Sequence, residues 1–288
     1  MLISQNWTEF EVIDAGKGEK LERWGDKLLL RPDPQAIWDV DGSDAAWGRV
    51  DAHYHRSDTG GGSWQYLKKL PDYWNIGYND LRFKIGTMSF KHTGLFPEQA
   101  VNWDWMRGLI ESCGERVSVL NLFAYTGGAT MACAKAGAEV CHVDSSKGMV
   151  NWAKDNAALC GLREAPIRYI IDDCAKFVKR EQRRGRKYKA VIMDPPSYGR
   201  GPSGEMWKIE DMLYDFLLDC IEVLDDEPLF FLINSYTTGL QPQVLRNLLQ
   251  VTAEKKFGGR ITADEVGLPI KSSGLILPCG ASGRWQRA

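Results

Sequence analysis

The chain has 288 residues, and 44% of them are hydrophobic, which is enough for a sizeable core in one large domain or two modest ones. No apolar run approaches the roughly 20 residues that cross a membrane, and the first residues lack the basic and apolar regions of a secretory signal. The net charge of −2 does not indicate a nucleic-acid-binding protein, although a local basic patch would suffice for one.

The cysteines and histidines do not form a metal or disulfide pattern. The seven cysteines are scattered without a C-x-x-C spacing, which is typical of reduced, buried thiols in a cytosolic protein. Of the four histidines, His53 and His55 share one face if their segment is a strand, but two ligands alone make a poor metal site. We therefore expect a cytoplasmic protein without a metal.

Residues 1–88 differ in character from the rest of the chain. Short strand-like runs at 10–13, 27–30 and 81–85 alternate with glycine and proline turns. Tryptophan is dense here: Trp7, Trp24, Trp38, Trp47, Trp64 and Trp74. We expect a small β-rich domain in which most indoles pack in a core or interface. The alternative is a substrate platform on which bases stack.

Residues 117–144 have the pattern of half a doubly wound nucleotide-binding unit. A β-prone run at 117–123 meets the tight turn 125–128, and a small-residue helix follows as far as Gly137. A second strand ends at Asp144, an acidic residue placed to hold ribose hydroxyls. The turn lacks the full G-x-G-x-x-G of dinucleotide sites, so it suits a ligand without a pyrophosphate, such as S-adenosylmethionine (SAM). A nicotinamide or flavin cofactor, or a scaffold without a ligand, is the alternative.

The remaining elements alternate between strands and helices. Strands at 167–171, 189–193 and 229–233 are separated by helical stretches, and a final pair at 259–266 and 275–278 resembles a hairpin. This order predicts an α/β, Rossmann-like domain over 89–288, with a mostly parallel seven-stranded sheet and an antiparallel last strand. Acidic residues stand at three strand ends, where ligands bind in such sheets: Asp144, Asp172 with Asp173, and Asp194.

Three of these features resemble class I SAM-dependent methyltransferases: residues 119–128, Asp144 and the run 194–196, Asp-Pro-Pro. The nearest group contains the large-subunit rRNA methyltransferases that modify cytosine C5 or guanine N7. In that group a stretch like Lys-Thr-Gly-x-Phe-x-x-Gln precedes the first strand, and residues 92–99 are similar. The resemblance covers about 90–288 and implies a methyltransferase of RNA. Enzymes of the group often begin with a PUA-type domain, which residues 1–88 do not show.

The resemblance and the strand ends together give a set of expected cofactor contacts. Asp144 is expected on the ribose, and Asp173, with the backbone of Cys174 and its neighbour Asp172, on the adenine. Helix capping or turn formation is the alternative role for each aspartate. The cradle around the amino-acid part of SAM is assigned to Asn121, Tyr125, Thr126, Gly127 and Gly128, and the remaining expected contacts are Phe96, Gln99, Phe123, Ser145 and Asp194.

The acceptor side is expected around Asp194, whose carboxylate, with the Pro195 carbonyl, accepts hydrogen bonds from a substrate amine. Tyr198 is expected to stack on a planar substrate, and Arg200, Asn234 and Tyr236 are further substrate candidates. Carbon methylation requires a thiolate nucleophile. The cytosine-C5 members of the group resemble enzymes with a cysteine nucleophile just after the fifth strand, and the matching segment here, 234–237, contains no cysteine.

Cys279 is a poor substitute for that nucleophile, because a last strand starting near Ser273 would place it far from the active site. We therefore expect methylation at a nitrogen of an RNA base. The alternatives are a methyltransferase of a protein or small molecule, and a SAM-binding module without catalysis. The oligomeric state is left open.

Overall fold

The computed structural model describes residues 1–40, 42–57, 61–200 and 206–288. The chain divides into two compact units. The first consists of Met1, Asn102–Val266 and Gly280–Ala288, and the second of Leu2–Val101 and Gly267–Cys279. The second unit therefore includes the β-rich region proposed for 1–88, and it also takes in the residues up to Val101 and a later segment of the chain.

The first unit alternates strands and helices. Its helices are α1 (Ala100–Ser112, which starts in the second unit), α2 (Gly128–Lys135), α3 (Lys147–Leu159), α4 (Cys174–Arg183), α5 (Ile209–Glu222), α6 (Pro242–Leu249) and, after one π-helical turn at Gln250–Glu254, α7 (Lys255–Phe257). The other elements are the strands of its main sheet and a short hairpin. Within the described residues, no helix combines the length and the apolar character required to cross a membrane.

The main sheet has the order and direction expected for a Rossmann-like methyltransferase fold. Four neighbouring pairs among its five central strands are parallel, and the last strand runs antiparallel to its central neighbour. The order across the sheet is β16 (Arg260–Pro269), β17 (Ile276–Gln286), β15 (Phe230–Ser235), β12 (Ala190–Met193), β9 (Ser118–Leu122), β10 (Glu139–Asp144) and β11 (Ile167–Ile171). The two-residue strand β1 (Leu2–Ile3) is an eighth member, next to β16.

A buried apolar cluster lies on one face of this sheet. Leu120 and Leu122 of β9 belong to it, together with large side chains such as Phe177 and Trp285, which are 1% and 0% exposed. Each fully buried side chain of this size contributes about 1.5–3 kcal/mol. Because side chains alternate along a strand, Asn121 points to the opposite face.

One element of the first unit was expected to be a loop. Residues after β12 form a short antiparallel hairpin of β13 (Tyr198–Arg200) and β14 (Met206–Lys208), which leads into α5. The two prolines after Asp194 cannot continue a sheet and so predict a loop over 194–202. That prediction is wrong at 198–200, and residues 201–205 lie outside the described residues. Trp207 explains the hairpin, since its ring packs against Phe123 and Phe216 at 5.6 Å between centroids.

The second unit is β-rich. Its five-stranded sheet has the order β2 (Phe10–Gly16), β3 (Glu19–Trp24), β4 (Lys27–Pro32), β5 (Ala52–Arg56) and β6 (Gly62–Tyr66), and a separate hairpin joins β7 (Trp74–Tyr78) to β8 (Leu81–Ile85). Only the β4–β5 pair in this sheet is parallel.

The tryptophans of the second unit mostly serve packing, as one of the two interpretations predicted. Trp24 is fully buried and packs on Phe10 at 4.6 Å between ring centroids. Two of the partly exposed indoles are fixed by hydrogen bonds to the backbone: the Nε1 of Trp38 donates to the Ala15 carbonyl at 2.7 Å, and that of Trp74 to the Trp24 carbonyl at 3.0 Å.

Candidate functional site

The glycine turn after β9 is a strained backbone segment at the carboxyl end of the parallel sheet. Phe123 and Tyr125 have positive φ values of 54° and 50°, and Gly127 has 84°. Positive φ in non-glycine residues costs on the order of 1–3 kcal/mol each and occurs preferentially at functional sites. At Gly128 a Cβ atom would lie 2.7 Å from Cζ2 of Trp103, so only glycine fits between the turn and α1.

Asp144 at the end of β10 holds this turn. Its Oδ2 accepts a hydrogen bond from the Tyr125 amide and its Oδ1 one from the Ser146 amide, both at 2.8 Å. Burial raises the pKa of Asp144 above its ordinary value, against the effect of these two amides. Each carboxylate oxygen has two lone pairs, so one on each remains for ribose hydroxyls. The capping alternative and the ribose role are therefore compatible.

Asn121 of β9 has buried hydrogen-bond partners beneath the turn, and its contact with SAM stays a prediction. It is 3% exposed, and its Nδ2 donates to Thr130 Oγ1 at 2.9 Å, while Thr130 Oγ1 lies 2.9 Å from His142 Nδ1. This buried chain, which we call the Asn121–Thr130–His142 chain, joins β9, α2 and β10 beneath the turn. The Asn121 side chain thus supports the cradle from below.

Two further residues that support the glycine turn were not predicted from the sequence. His142 lies directly opposite Asn121 in the sheet register, and burial lowers the pKa of His142 to about 3, so the imidazole is neutral. Asn156 of α3 is fully buried, and its Nδ2 donates to the carbonyl of Thr126 at 2.9 Å. Two-residue alternation could have placed Asn121 and His142 on one face, but only the register brings them side by side.

The aspartates after β11 have structural partners. Asp173 is the N-cap of α4, since its Oδ1 accepts from the Lys176 amide at 2.8 Å. Asp172 accepts from the Asp173 amide at 2.9 Å and pairs with Arg180. Cys174 is buried, and its sulfur accepts from the Phe123 amide at 3.3 Å. Capping uses only one oxygen of Asp173 and is therefore compatible with a contact to adenine. That adenine contact stays a prediction, and so do the cofactor contacts expected of Phe123 and Ser145.

The acceptor candidates surround the hairpin after β12. The Pro196 carbonyl accepts from Trp207 Nε1 at 2.6 Å, which fixes the run after Asp194. The Tyr198 side chain is 50% exposed, and its hydroxyl donates to Met206 Sδ at 2.9 Å. This arrangement leaves the Tyr198 ring available for stacking. The side chain of Arg200 lies outside the described part of the chain.

The two candidates after β15 behave differently. Asn234 is 3% exposed, and its Oδ1 accepts from Ser282 Oγ at 2.6 Å and from Asn102 Nδ2 at 3.3 Å. Its amide is thus part of a buried polar layer against α1, whereas Tyr236 is 38% exposed. Of the pair, Tyr236 is the better placed to meet a substrate.

The last strand corrects the argument about Cys279. The strand starts at Ile276, and Ala281 pairs with Ser235, the last residue of β15. Cys279 therefore precedes the part of β17 that pairs with β15, and the expectation that it lies farther down the strand is wrong. Burial raises the pKa of the Cys279 thiol well above its ordinary value, so the thiol stays protonated.

Phe96 and Gln99 belong to the second unit. Phe96 precedes the 3-10 helix Pro97–Gln99, and Gln99 is 8% exposed. Their cofactor contacts stay predictions. Among the residues that the structure describes, no group of three or more potential metal ligands occurs.

Comparisons with known proteins agree with this geometry. A family described as S-adenosylmethionine-dependent methyltransferase matches residues 38–213. The crystal structure of a SAM-dependent methyltransferase from Agrobacterium tumefaciens is 36% identical, covers 100% of this chain and 93% of its own, and superposes with a TM-score of 0.95. A putative SAM-dependent methyltransferase from Streptococcus mutans, 18% identical over 98% of this chain and 76% of its own, has a TM-score of 0.73 and shares the fold.

The alignments with curated relatives cover a smaller part of this chain and of the relatives themselves. The ribosomal RNA large subunit methyltransferase K/L of Colwellia psychrerythraea is 28% identical over 78% of this chain and 28% of the relative. That of Shewanella frigidimarina is 35% identical over 45% of this chain and 18% of the relative. The chain thus spans less than a third of the length of these relatives.

Proposed function

Because the chain belongs to the S-adenosylmethionine-dependent methyltransferase family, we propose that it transfers a methyl group from SAM to a nitrogen of an RNA base, in the cytoplasm. One observation carries the cofactor assignment. The strained turn at 123–128 and the carboxylate of Asp144 lie together at the carboxyl ends of β9 and β10, where ligands of such sheets bind.

The residues of this cradle fit SAM. The two oxygens of Asp144 each retain a lone pair for ribose hydroxyls. Asp173 and the backbone of Cys174 are assigned to the adenine. SAM supplies an electrophilic methyl group, and the protein contributes position and electrostatics.

The acceptor is assigned to the region after β12. In this proposal Asp194 and the Pro195 carbonyl accept hydrogen bonds from a substrate amine and hold its lone pair toward the methyl group. Tyr198 stacks on the base, and Tyr236 flanks it. A base inside a duplex must be flipped out or already unpaired.

Two observations favour nitrogen over carbon. Carbon methylation needs a thiolate that adds to the ring, and the segment 234–237 after β15 contains no cysteine. The pKa of Cys279 is raised by burial, so this thiol is no ready nucleophile. RNA as the acceptor is supported by the two rRNA methyltransferases that the chain resembles.

A labelling experiment tests the proposal. The purified protein is incubated with SAM carrying a radioactive methyl group and with separated RNA, protein and metabolite fractions of a cell extract. We expect label in RNA, at a base nitrogen after nuclease digestion and chromatography. Asp194→Ala should abolish the transfer while SAM binding remains measurable, and the exposed Asp215→Ala on α5 should change neither.

Each other outcome has a defined meaning. Label found in protein or metabolites and not in RNA would show that the methyl acceptor is a protein or a small molecule. Label at a ring carbon would refute the nitrogen assignment. An absence of transfer to every fraction, with SAM bound, would indicate a SAM-binding module without catalysis.

A further inference from the structure

The second unit has three neighbouring aromatic residues, the half-buried Trp64 and the exposed Tyr66 and Phe90, which we call the aromatic strip. Trp64 and Tyr66 are two residues apart on β6, so they share a face. The Trp64 Nε1 donates to the Phe90 carbonyl at 3.3 Å, which brings Phe90 next to the strand. Tyr66 is 54% exposed and Phe90 is 59% exposed.

The strip is held in place by hydrogen bonds rather than by burial of its rings. Trp64 Nε1 also donates to the Met88 carbonyl at 2.8 Å, and the Tyr66 hydroxyl is 2.8 Å from Thr87 Oγ1. The Tyr54 and Trp64 rings meet edge to face at 5.3 Å between centroids. The Trp64 and Tyr66 rings are therefore fixed, and the exposed surface of Tyr66 is held ready for a planar partner, which lowers the entropy cost of binding.

The stretch of sequence that carries the strip has a net charge opposite in sign to that of the whole chain. Residues 49–91 contain seven Lys or Arg and four Asp, a net charge of +3, whereas the chain carries −2. Arg56 lies on the strip's face, because it is two residues beyond Tyr54, the cross-strand partner of Trp64. Arg56 and Lys69 are exposed and have no ion-pair partner among the described residues.

We propose that the aromatic strip, with Arg56 and Lys69, is a binding surface for a single-stranded segment of RNA. Every base has a face that stacks on an aromatic ring, and the two cations meet backbone phosphates. A paired stem hides the faces of its bases, so the surface selects unpaired nucleotides. This inference rests on the proposed RNA methylation and adds where the substrate is held outside the first unit.

Fluorescence anisotropy tests this surface with a labelled single-stranded RNA of mixed sequence and a duplex of the same sequence. Replacing both exposed rings (Tyr66→Leu with Phe90→Leu) should raise the Kd for the single strand about 10- to 100-fold. Tyr214→Leu, at a residue 47% exposed on α5, is the matched control and should leave the Kd unchanged. SAM affinity, measured on every variant, reports on the folding of the first unit.

A second pair of substitutions tests the cations without touching the rings. Arg56→Gln with Lys69→Gln should flatten the slope of log K against log salt by about 1.4, since each phosphate contact on a single strand contributes roughly 0.7. Both pairs of variants should also slow RNA methylation at low RNA concentration while methylation at saturating RNA is retained.

The results separate this surface from the proposed function. Ring and charge variants that bind the single strand as tightly as the wild type would overturn the surface, even if label enters RNA. Wild-type protein that shows no salt-dependent RNA binding would overturn it as well. Strip-dependent RNA binding together with label found only in protein or metabolites would keep the surface and refute RNA as the methyl acceptor.

Discussion

The carboxylate of Asp144 should govern SAM affinity, and Asp144→Asn tests this with little change in shape. Both oxygens accept a backbone amide at 2.8 Å, from Tyr125 and from Ser146. An asparagine offers a single acceptor oxygen, so one of these amides would face an NH₂ group. The substitution thus loosens the turn and removes the negative charge that receives the ribose hydroxyls.

The expected magnitude follows from the lost interaction. A hydrogen bond to a charged group contributes about 1.5–3 kcal/mol, and each 1.4 kcal/mol is a factor of ten in Kd. We therefore expect about 10- to 100-fold weaker binding of S-adenosylhomocysteine to Asp144→Asn by isothermal titration calorimetry. Asp215→Asn, on the exposed side of α5, serves as the control and should bind like the wild type.

The pH dependence gives a second readout of the same carboxylate. Burial raises the pKa of Asp144, and the ionised form is the one that accepts from both ribose hydroxyls. Wild-type affinity should therefore fall as the pH is lowered through this raised pKa, and Asp144→Asn should lose that dependence. Equal affinity of the two proteins, or the same pH profile in both, would refute the ribose assignment.

Two further substitutions test the packing around the site and the second unit by urea unfolding. Thr130→Val removes the hydroxyl that partners His142 in the buried chain, so it should cost about 1–3 kcal/mol of stability and weaken SAM binding. Thr130→Ser should restore both, and a valine variant as stable as the wild type would argue against the chain. Glu22→Gln breaks the buried pair in which Arg31 donates to Glu22 at 2.6 and 2.8 Å, so we expect a loss of about 3–5 kcal/mol. Glu11→Gln, in a partly exposed pair, should cost at most about 1 kcal/mol, and equal losses for both would contradict the burial argument.

Local sequence patterns could not predict which segments of the chain form each of the two units. Residues 267–279 belong to the second unit although they lie between two segments of the first unit in the chain. In that unit Ser272 Oγ donates to Asp14 Oδ1 at 2.7 Å, a contact between residues 258 positions apart. No composition shift marks such a return of the chain, because the contact is decided by packing.

The sequence by itself determined the sheet and its ligand-bearing edge. Apolar runs and their spacing predicted β9 to β12 and β15 within a few residues, and glycines 127 and 128 with Asp144 indicated the turn and its acidic partner. These signals are local, since each depends on neighbouring residues and on the alternation of side chains. The family and its cofactor follow from the same stretch.

Only the tertiary structure decided which polar side chains face the site. Asn121 and Asn234 stand next to strand ends, yet both point to buried networks, because the register and the helix above each strand fix their partners. The hairpin that carries Tyr198 escaped prediction because its strands are three residues long and depend on Trp207 for packing. The glycine turn thus identifies the methyl donor, while the surfaces that choose the acceptor are set by contacts between residues distant in sequence.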